Sequence, residues 1–451
     1  MSRRKRLTVN DVLDIILEDP NSPEEVDVIL QPPDGNVSDG YDDSDEDDNT
    51  KEPDKLSAGV LQAPAELRRQ TGEDDEPSQD EDDEINTDLP SRSRTAKKPT
   101  EQWKKQSHTQ SKAQRLFPEP NYQSVSGKSP EDLFYRFWNE EVMELITKES
   151  NEYAARNGMH DELVTNDELY SFLGILLLSG YCTLTNLRMY WQESEDTHNG
   201  LVSRAMTRER FKAIKRMLHF NGIEDKRDRY WKVRPLISHL RKQFIAAFIP
   251  DQVWSHDEAM IKYFGRHGLK QAIRNKPIRF GFKVWCLNTP DGYLICFELY
   301  QGEGISSSWA ENVAICGKSG ATVLDFLEHL PDEYRNLPFH IFGDNYFTST
   351  SLMRELVKRG YEYTGTIRQD RISGCSPLTG IDQFKKKDRG VHESMTSIDG
   401  QLLLTRWKDN SAVTLASTVL GSHPTSKVRR YSRAQKKPIE VLRPHVVTTL
   451  Q

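Results

Sequence analysis

Hydrophobic residues follow a helical spacing through the middle of the chain. After Ser129 and Pro130, which suit the cap and the first turn of a helix, apolar residues recur every three or four positions. Residues 165–181 are apolar nearly all round, which predicts a buried helix. Two later helices have basic outer faces, at 208–220 and 233–249. Residues 129–250 therefore predict an all-helical domain, whose charge suits either a DNA-facing surface or ordinary solubility.

At Asp251 the pattern changes to short runs rich in β-branched and aromatic residues, which predict strands. Three such strands come first, and then a helix, a strand, a helix and a strand follow in turn. This order predicts a mixed α/β sheet for residues 251–370. Residues 371–425 predict hairpins, interpreted as a β-rich insertion, and residues 426–451 form a strongly basic tail.

The N-terminal region has a different composition from the rest of the chain. Residues 1–128 are mostly polar, charged and interrupted by proline, and such a segment is predicted to be largely disordered. Residues 38–88 hold 20 Asp/Glu against four Lys/Arg, so their net charge is −16 while the remaining chain sums to +8. A basic body with an acidic arm indicates a protein that binds polyanions, with the arm competing for the basic surface.

Several classes of protein are disfavoured by the sequence. The five cysteines are scattered without a C-x-x-C pair, which argues against a disulfide framework or a structural zinc site. No apolar run approaches the roughly 20 residues that span a bilayer, so we expect a soluble intracellular protein without a membrane partner. The basic run Arg3–Arg6 suits nuclear import, although a solvated terminus explains it more simply.

Two acids stand at positions where they could carry chemistry. Asp257 lies inside the first predicted strand, and Asp344 directly follows the fourth. A fourth strand running parallel beside the first would bring both carboxylates together, and such a pair repels unless a cation neutralises it. Mg²⁺ or Mn²⁺ held there could activate oxygens at phosphorus. The alternative is that Asp344 merely caps the next helix.

A set of motifs in one order gives the chain a resemblance to a known family. They are Asp257-Glu258, Gly265-Arg266, Lys276-Pro277, Gly281, Lys283, Asp344-Asn345, Phe347–Ser349, Gly365-Thr366, Arg368 and Arg406–Ser417. Together they resemble the piggyBac family of cut-and-paste transposases and their domesticated derivatives, over about residues 130–445. The resemblance implies an RNase H-like catalytic core, a preceding helical domain for dimerisation and DNA binding, and metal-dependent cutting and joining at TTAA targets. It also implies that Asp257 and Asp344 are catalytic acids and metal ligands.

The sequence departs from the family at one place. The third catalytic acid of the family lies in a "GGVD" motif, which is not found here, so we expect an incomplete core. The nearest remaining acid, Asp409, is interpreted as a turn residue. Mg²⁺ or Mn²⁺ binding is therefore expected to be weak or absent, and the chain is expected not to transpose.

Two groups of basic residues predict contacts with nucleic acid. The first group, extended by Arg368, is Arg266, Lys270, Arg274, Lys276, Arg279 and Lys283. The second group is Lys427, Arg429, Arg430, Arg433, Lys436 and Lys437. Contacts of such residues with phosphates would give affinity that falls steeply with salt. A solvated charged face is the alternative for both groups.

Three functions are compatible with these features. The one we favour is a nuclear, transposase-derived DNA-binding protein without catalysis, which pairs with itself or with full-length relatives. The second is an active metal-dependent DNA transposase with an acidic catalytic site. The third is a chromatin-associated interaction protein that acts through its acidic arm. Whether the chain is an enzyme is left open by the sequence.

Overall fold

The computed structural model describes most of the chain from Glu101 onwards, with short gaps. The described ranges are 101–105, 116–159, 163–263, 267–273, 276–302, 308–372, 378–433 and 435–450, with the backbone of three earlier strands. Those strands are β1 (Leu7–Thr8), β2 (Val26–Leu30) and β3 (Pro64–Arg69). β3 pairs antiparallel with both others, so the region predicted to be largely disordered contains a small sheet. Its other residues up to 100 lie outside the described ranges.

Six α-helices fill the described part of residues 129–250. They are α1 (Pro130–Phe137), α2 (Glu140–Arg156), α3 (Asn166–Tyr181), α4 (Gly200–Ala205), α5 (Arg208–Met217) and α6 (Arg234–Ala247). Apolar side chains from α2 to α5 form a buried core of their own. The helical domain predicted from apolar periodicity is therefore present.

Side-chain caps set the first helix boundaries. The Ser129 hydroxyl accepts from the Asp132 amide, and the Asp132 carboxylate accepts from the Ser129 amide, which forms a capping box. Asn139 caps α2, so the run predicted as one helix is two. The prediction that α3 is buried is wrong for one face, because Leu177 is 59% exposed.

One large mixed sheet is the central element of the described residues that follow the helical domain. Its strands are β4 (Trp103–Lys104), β5 (Val253–Lys262), β6 (Gln271–Ala272), β7 (Phe280–Asn288), β8 (Leu294–Leu299), β9 (His340–Gly343), β10 (Glu362–Thr366), β11 (His392–Ser397), β12 (Leu403–Lys408) and β13 (Ala412–Ser417). The order is β4-β11-β12-β13-β10-β9-β5-β7-β6, and β8 also pairs with β7. β5, β9 and β10 run parallel, while the other pairings are antiparallel. The predicted hairpins of residues 371–425 thus continue the sheet of the core.

Helices cover one face of this sheet. The longest is α7 (Trp309–Glu328), α8 (Asp332–Arg335) follows it, and α9 (Thr350–Lys358) connects β9 to β10. A short α10 (Ile381–Phe384) precedes β11. Apolar side chains of α7 and α9 pack with the central strands into the largest core cluster, which includes the fully buried Trp254. The strands that precede and follow α9 are thereby held in fixed positions.

The basic tail has regular structure. β14 (Ser426–Ser432) and β15 (Lys437–Arg443) form an antiparallel hairpin, and α11 (His445–Leu450) follows. The hairpin packs Val428 and Val441 against Trp407 of β12. The Trp407 indole N–H also donates to the Leu442 carbonyl at 2.8 Å. The tail is therefore fastened to the sheet by both apolar and polar contacts.

A buried ion-pair network joins the helical domain to the sheet. Glu298 of β8 is buried and accepts from Arg234 at 2.8 Å and from Arg241 at 2.5 Å, both on α6. Arg234 also pairs with the buried Asp228. Among the described residues, no helix has the length and apolar character needed to cross a membrane.

Candidate acidic site

Asp257 and Asp344 lie side by side on neighbouring parallel strands. The last registered pair between β5 and β9 is His256 with Gly343, and each acid comes one residue later. Neighbouring strands are about 4.8 Å apart, and cross-strand partners project from the same face. The parallel arrangement expected from the sequence is thus present, and it places both carboxylates at one end of the sheet.

Both carboxyl groups have raised pKa values. For Asp257 the largest cause is enclosure by the protein, followed by the charge of Glu258, and the charge of Asp344 contributes further. For Asp344 enclosure is again the largest cause, and Glu258 raises the pKa further. Lys276 lowers the pKa of Asp257, and Arg368 lowers that of Asp344. The three acids therefore repel one another across a small volume.

The backbone of Asp344 is held by a buried hydroxyl pair. The Thr348 hydroxyl donates to the Asp344 carbonyl at 2.6 Å and lies 3.0 Å from the Tyr363 hydroxyl. The Tyr363 ring passes so close to Gly343 that a side chain there would collide with it. A side chain on Gly365 would collide with Thr348 and the Gly343 carbonyl. The two glycines are therefore required for the turn that presents Asp344.

Asp344 does not cap the following helix. Ser349 is the N-cap of α9, where its hydroxyl accepts from the Leu352 amide at 3.2 Å. The Asp344 carboxylate instead accepts from the Tyr346 amide at 2.9 Å, within its own turn. The side chain is exposed at the end of β9. The capping interpretation, the simplest structural alternative for this acid, is therefore wrong.

Glu258 is the third acid of the site, and it is already neutralised. Its side chain is buried, and Oε1 lies 2.8 Å from the Lys276 ammonium, which also donates to the Glu258 carbonyl at 3.1 Å. The same ammonium lies 3.9 Å from Asp257 Oδ1. The pKa of Glu258 is lowered, because these contacts and the nearby Lys283 outweigh the cost of its burial. Lys276, predicted to contact DNA, therefore lies within the site as a counter-charge.

The structure places the other predicted DNA-contacting residues in different surroundings. Lys283 is 2% exposed, and its ammonium lies 4.4 Å from the centre of the Tyr346 ring. Lys270 is also 2% exposed, and burial lowers its pKa. Arg279 is exposed. Arg266 and Arg274 lie outside the described residues. Burial of two of the lysines leaves Arg279 and Arg368 as the better placed of the described residues for a phosphate contact.

Arg368 faces the site from the end of β10. Its side chain is exposed, and Nε donates to the Asn345 side chain at 3.3 Å. The guanidinium is close enough to Asp344 to lower the pKa of that carboxyl. Arg368 is thus placed where one anionic group could contact it beside the two acids.

Asp257 and Asp344 fit a divalent cation as two of its oxygen ligands. Both residues reach the surface while the surrounding protein partly encloses their carboxyl groups, and the two charges repel each other. Carboxylate oxygens are the ligands that Mg²⁺ and Mn²⁺ prefer. Lys276 holds Oε1 of Glu258, whereas the buried Oε2 of Glu258 has no hydrogen-bond partner among the described residues. In the described part of the chain, no group of three or more His, Cys, Asp or Glu side chains is arranged to hold a metal ion. The described residues therefore place two exposed acids, Asp257 and Asp344, beside a buried acid that Lys276 holds at one oxygen.

Asp409 takes part in ion pairs of its own. It follows β12 in a turn, as interpreted from the sequence, and its carboxylate pairs with Arg389 at 2.5 Å and with Arg430 at 3.1 Å. These pairs lower its pKa despite partial burial. Asp409 therefore fastens the hairpin of β14 and β15 to the sheet.

Comparisons with known proteins match this chain to a known family. A sequence profile of the family described as "Transposase IS4" matches residues 129–451. The chain is 37% identical, over 98% of its length, to the human piggyBac transposable element-derived protein 3, of which the match covers 76%. The chain belongs to the piggyBac transposase family. It is also 33% identical, over 94% of its length, to the human piggyBac transposable element-derived protein 2, of which 70% is covered.

A solved structure has the same fold. It is the piggyBac transposase in a cryo-EM structure of its synaptic complex with hairpin DNA, with a TM-score of 0.53 at 20% identity. The likeness covers 73% of this chain and 66%, just under two thirds, of the length of that one. The mixed α/β core with its helical domain is therefore the piggyBac fold. The transposases of this family with acidic catalytic sites use divalent metal ions.

The sequence singled out Thr348 as part of a family motif, but it did not indicate the roles of Tyr363 and Tyr346 in shaping the site. Tyr363 and Thr348 hold the turn of Asp344, and Tyr346 lies over Lys283. The available signal was a tyrosine followed by the small residues Thr364, Gly365 and Thr366, with a second glycine, Gly343, at the end of the preceding strand. Such glycines mark close backbone approach, but the approaching residue is known only from the fold.

Proposed function

We propose that this chain is a piggyBac transposase-derived protein that binds duplex DNA in the nucleus and does not cut it in this form. The observation that carries the proposal is the state of the acidic site. Asp257 and Asp344 meet there, but the third nearby acid, Glu258, is bound to Lys276. Two carboxylates hold a pair of catalytic ions poorly, and phosphoryl transfer of this class depends on such ions.

DNA is the proposed partner because of the fold and the charge. The structural relative is a transposase in complex with hairpin DNA. Outside residues 38–88, this chain has a net charge of +8. Basic surfaces contact phosphates without reading sequence, so we expect binding to duplexes of any sequence that weakens as salt rises. The proposal includes pairing with itself or with longer relatives, which light scattering of the purified chain would detect.

Two measurements test the proposal. Mobility shift of a duplex across a salt series should show binding at low salt that is lost as salt increases. An excision assay with Mg²⁺ or Mn²⁺ should give no cut product from this chain. Absence of DNA binding at low salt would reject the proposed partner. Excision that disappears in Asp257→Asn would reject the proposed lack of catalysis.

The second candidate is an active metal-dependent transposase. The observation in its favour is the juxtaposition of Asp257 and Asp344, because their raised pKa values reflect a region that a cation would stabilise. The same excision assay decides between the two functions. For nuclear residence, a fluorescent fusion that remains in the cytoplasm would remove that part of the proposal.

A further inference from the structure

The hairpin of β14 and β15 has two faces of opposite character. Its register pairs Val428 with Val441 on the inner face, which packs against Trp407. The outer face carries Lys427 and Arg429, which are exposed. Residues 426–443 contain seven Lys/Arg and one Glu, so their net charge is +6. Such a cluster of like charges creates a positive potential that attracts polyanions.

The cations of the outer face are available. Within the part of the chain that the structure describes, no carboxylate pairs with Arg429 on this face or with Arg433 and Lys436 at the tip of the hairpin. Lys427 alone is paired on this face, to the exposed Glu440 at 2.8 Å. Tyr431 lies on the same face and is 60% exposed, which adds a hydroxyl donor and an aromatic surface. Arginine, lysine and tyrosine are the side chains that commonly contact DNA phosphates.

The hairpin is also rigidly supported. Arg430 points the other way and pairs with Asp409 at 3.1 Å. Arg389 pairs with the same carboxylate and donates to the Tyr431 carbonyl at 3.2 Å. The Trp407 indole N–H holds the Leu442 carbonyl of the second strand. The outer cations are thus presented by a fixed scaffold, which lowers the entropy lost on binding.

We propose that the outer face of the β14–β15 hairpin is a binding surface for the phosphate backbone of duplex DNA. This inference rests on the proposed function and assigns it a surface separate from the acidic site. A two-stranded ribbon matches the width of the DNA major groove, and its flanking cations then lie against phosphates on either side. The contacts give affinity and orientation without sequence preference.

The test uses the full chain and a fluorescently labelled 30-base-pair duplex of arbitrary sequence, with binding measured between 50 and 200 mM KCl. The variant Arg429→Gln, Arg433→Gln, Lys436→Gln removes three exposed cations from the outer face and the tip of the hairpin. If each contacts a phosphate, the slope of log K against log salt falls by about 2–3, and affinity falls by roughly tenfold for each contact at 0.1 M salt. The matched control removes three exposed cations of the helical domain, Lys226→Gln, Arg229→Gln, Lys242→Gln.

A second variant, which is expected to increase affinity, distinguishes the loss of a DNA contact from misfolding. Glu440→Gln frees Lys427 and raises the charge of the outer face. It should strengthen binding several-fold and increase the slope by up to about one. Loss of binding caused by damage to the fold cannot produce this gain.

The outcomes distinguish failure of the proposed hairpin surface from failure of the proposed DNA-binding function. If the hairpin and control variants lose affinity equally, overall charge explains binding and the hairpin surface is rejected. If the hairpin variant binds like the unaltered chain, or Glu440→Gln has no effect, the surface is likewise rejected while DNA binding stands. If the unaltered chain fails to bind duplex at 50 mM KCl, the proposed function itself is rejected.

Discussion

The hydroxyl groups of Thr348 and Tyr363 lie 3.0 Å apart in the interior, directly behind the turn that presents Asp344. The Thr348 hydroxyl donates its hydrogen to the Asp344 carbonyl, so the Tyr363 hydroxyl can donate in turn to Thr348. This arrangement leaves no room for a side chain on Gly343. The position of one candidate ligand is therefore set by a residue on the next strand.

This packing predicts coupling between Gly343 and Tyr363. Gly343→Ala should lower the free energy of unfolding by about 1–3 kcal/mol, because its Cβ overpacks against the tyrosine. Tyr363→Phe should cost about 1 kcal/mol for the lost hydrogen bond. Together they should cost less than the sum, since removal of the hydroxyl makes space. Urea unfolding of the four proteins measures the cycle.

Gly174 provides the control for this cycle. It lies within α3, where an added Cβ meets nothing within 4 Å, so Gly174→Ala should stabilise by about 0.5–1 kcal/mol. Strict additivity of Gly343→Ala and Tyr363→Phe would show that the close approach does not constrain the turn.

The enclosure of the Asp344 carboxyl group and its closeness to Glu258 predict a pH-dependent gain in stability when Asp344 is neutralised. Its pKa in the folded chain is raised above the ordinary 3.8, so the charged form opposes folding once the pH exceeds the folded value. Asp344→Asn should therefore raise the melting temperature at pH 7. The difference should shrink as pH falls through the folded pKa and should vanish below about 3.8. A melting-temperature gain that persists unchanged at low pH would contradict the raised pKa of Asp344.

Mn²⁺ should stabilise the unaltered chain through the same two carboxylates. Because a ligand of the folded state raises stability with its concentration, millimolar Mn²⁺ should increase the melting temperature by a small amount. Asp257→Asn and Asp344→Asn should each abolish that increase. Equal shifts in all three proteins would mean that Mn²⁺ binds elsewhere.

Glu298 should be the most sensitive acid at the junction of the helices and the sheet. Glu298→Gln leaves Arg234 and Arg241 partly unpaired in the interior, and breaking a buried pair in this way costs about 3–5 kcal/mol. The comparison is Glu209→Gln, which breaks the exposed pair with Arg208 and should cost under about 1 kcal/mol. Chemical denaturation of both variants checks the contrast, and similar losses would contradict it.

The acidic arm should weaken DNA binding. Deletion of residues 38–88 removes a net charge of −16 together with strand β3, and it should strengthen duplex binding at low salt. Replacing the Asp and Glu of residues 73–84 by Asn and Gln keeps the length and should act in the same direction. Fluorescence anisotropy measures both variants. Unchanged affinity in the two variants would show that the arm does not compete for the basic surface.

Much of the fold follows from local patterns in the sequence. Ser129 and Asp132 have the spacing of a capping box, and the change from helical to strand periodicity near Asp251 marks the start of the sheet. The placement of Asp257 beside Asp344 also followed, because a β-β-β-α-β order favours a parallel fourth strand beside the first. These features depend on neighbours in sequence or on general rules of topology.

Other features depend on contacts between distant segments. The pairing of Lys276 with Glu258 and the burial of Lys283 cannot be read from charge alone, because a lysine in sequence looks the same whether it faces water or a carboxylate. The hairpins of residues 371–425 likewise gave no sign that β13 pairs with β10. Strand partners far apart in sequence are fixed by the whole sheet.

Strand β4 extends the sheet beyond the segment that the family profile covers. Trp103 and Lys104 pair with the outer strand β11, and Arg354 binds Glu101 at 2.6 Å beside them. A recombinant fragment started at residue 129 would lack this strand and leave the β11 backbone unprotected, which is a template for aggregation. Expression of the fold for crystallisation or binding work should therefore begin upstream of Glu101.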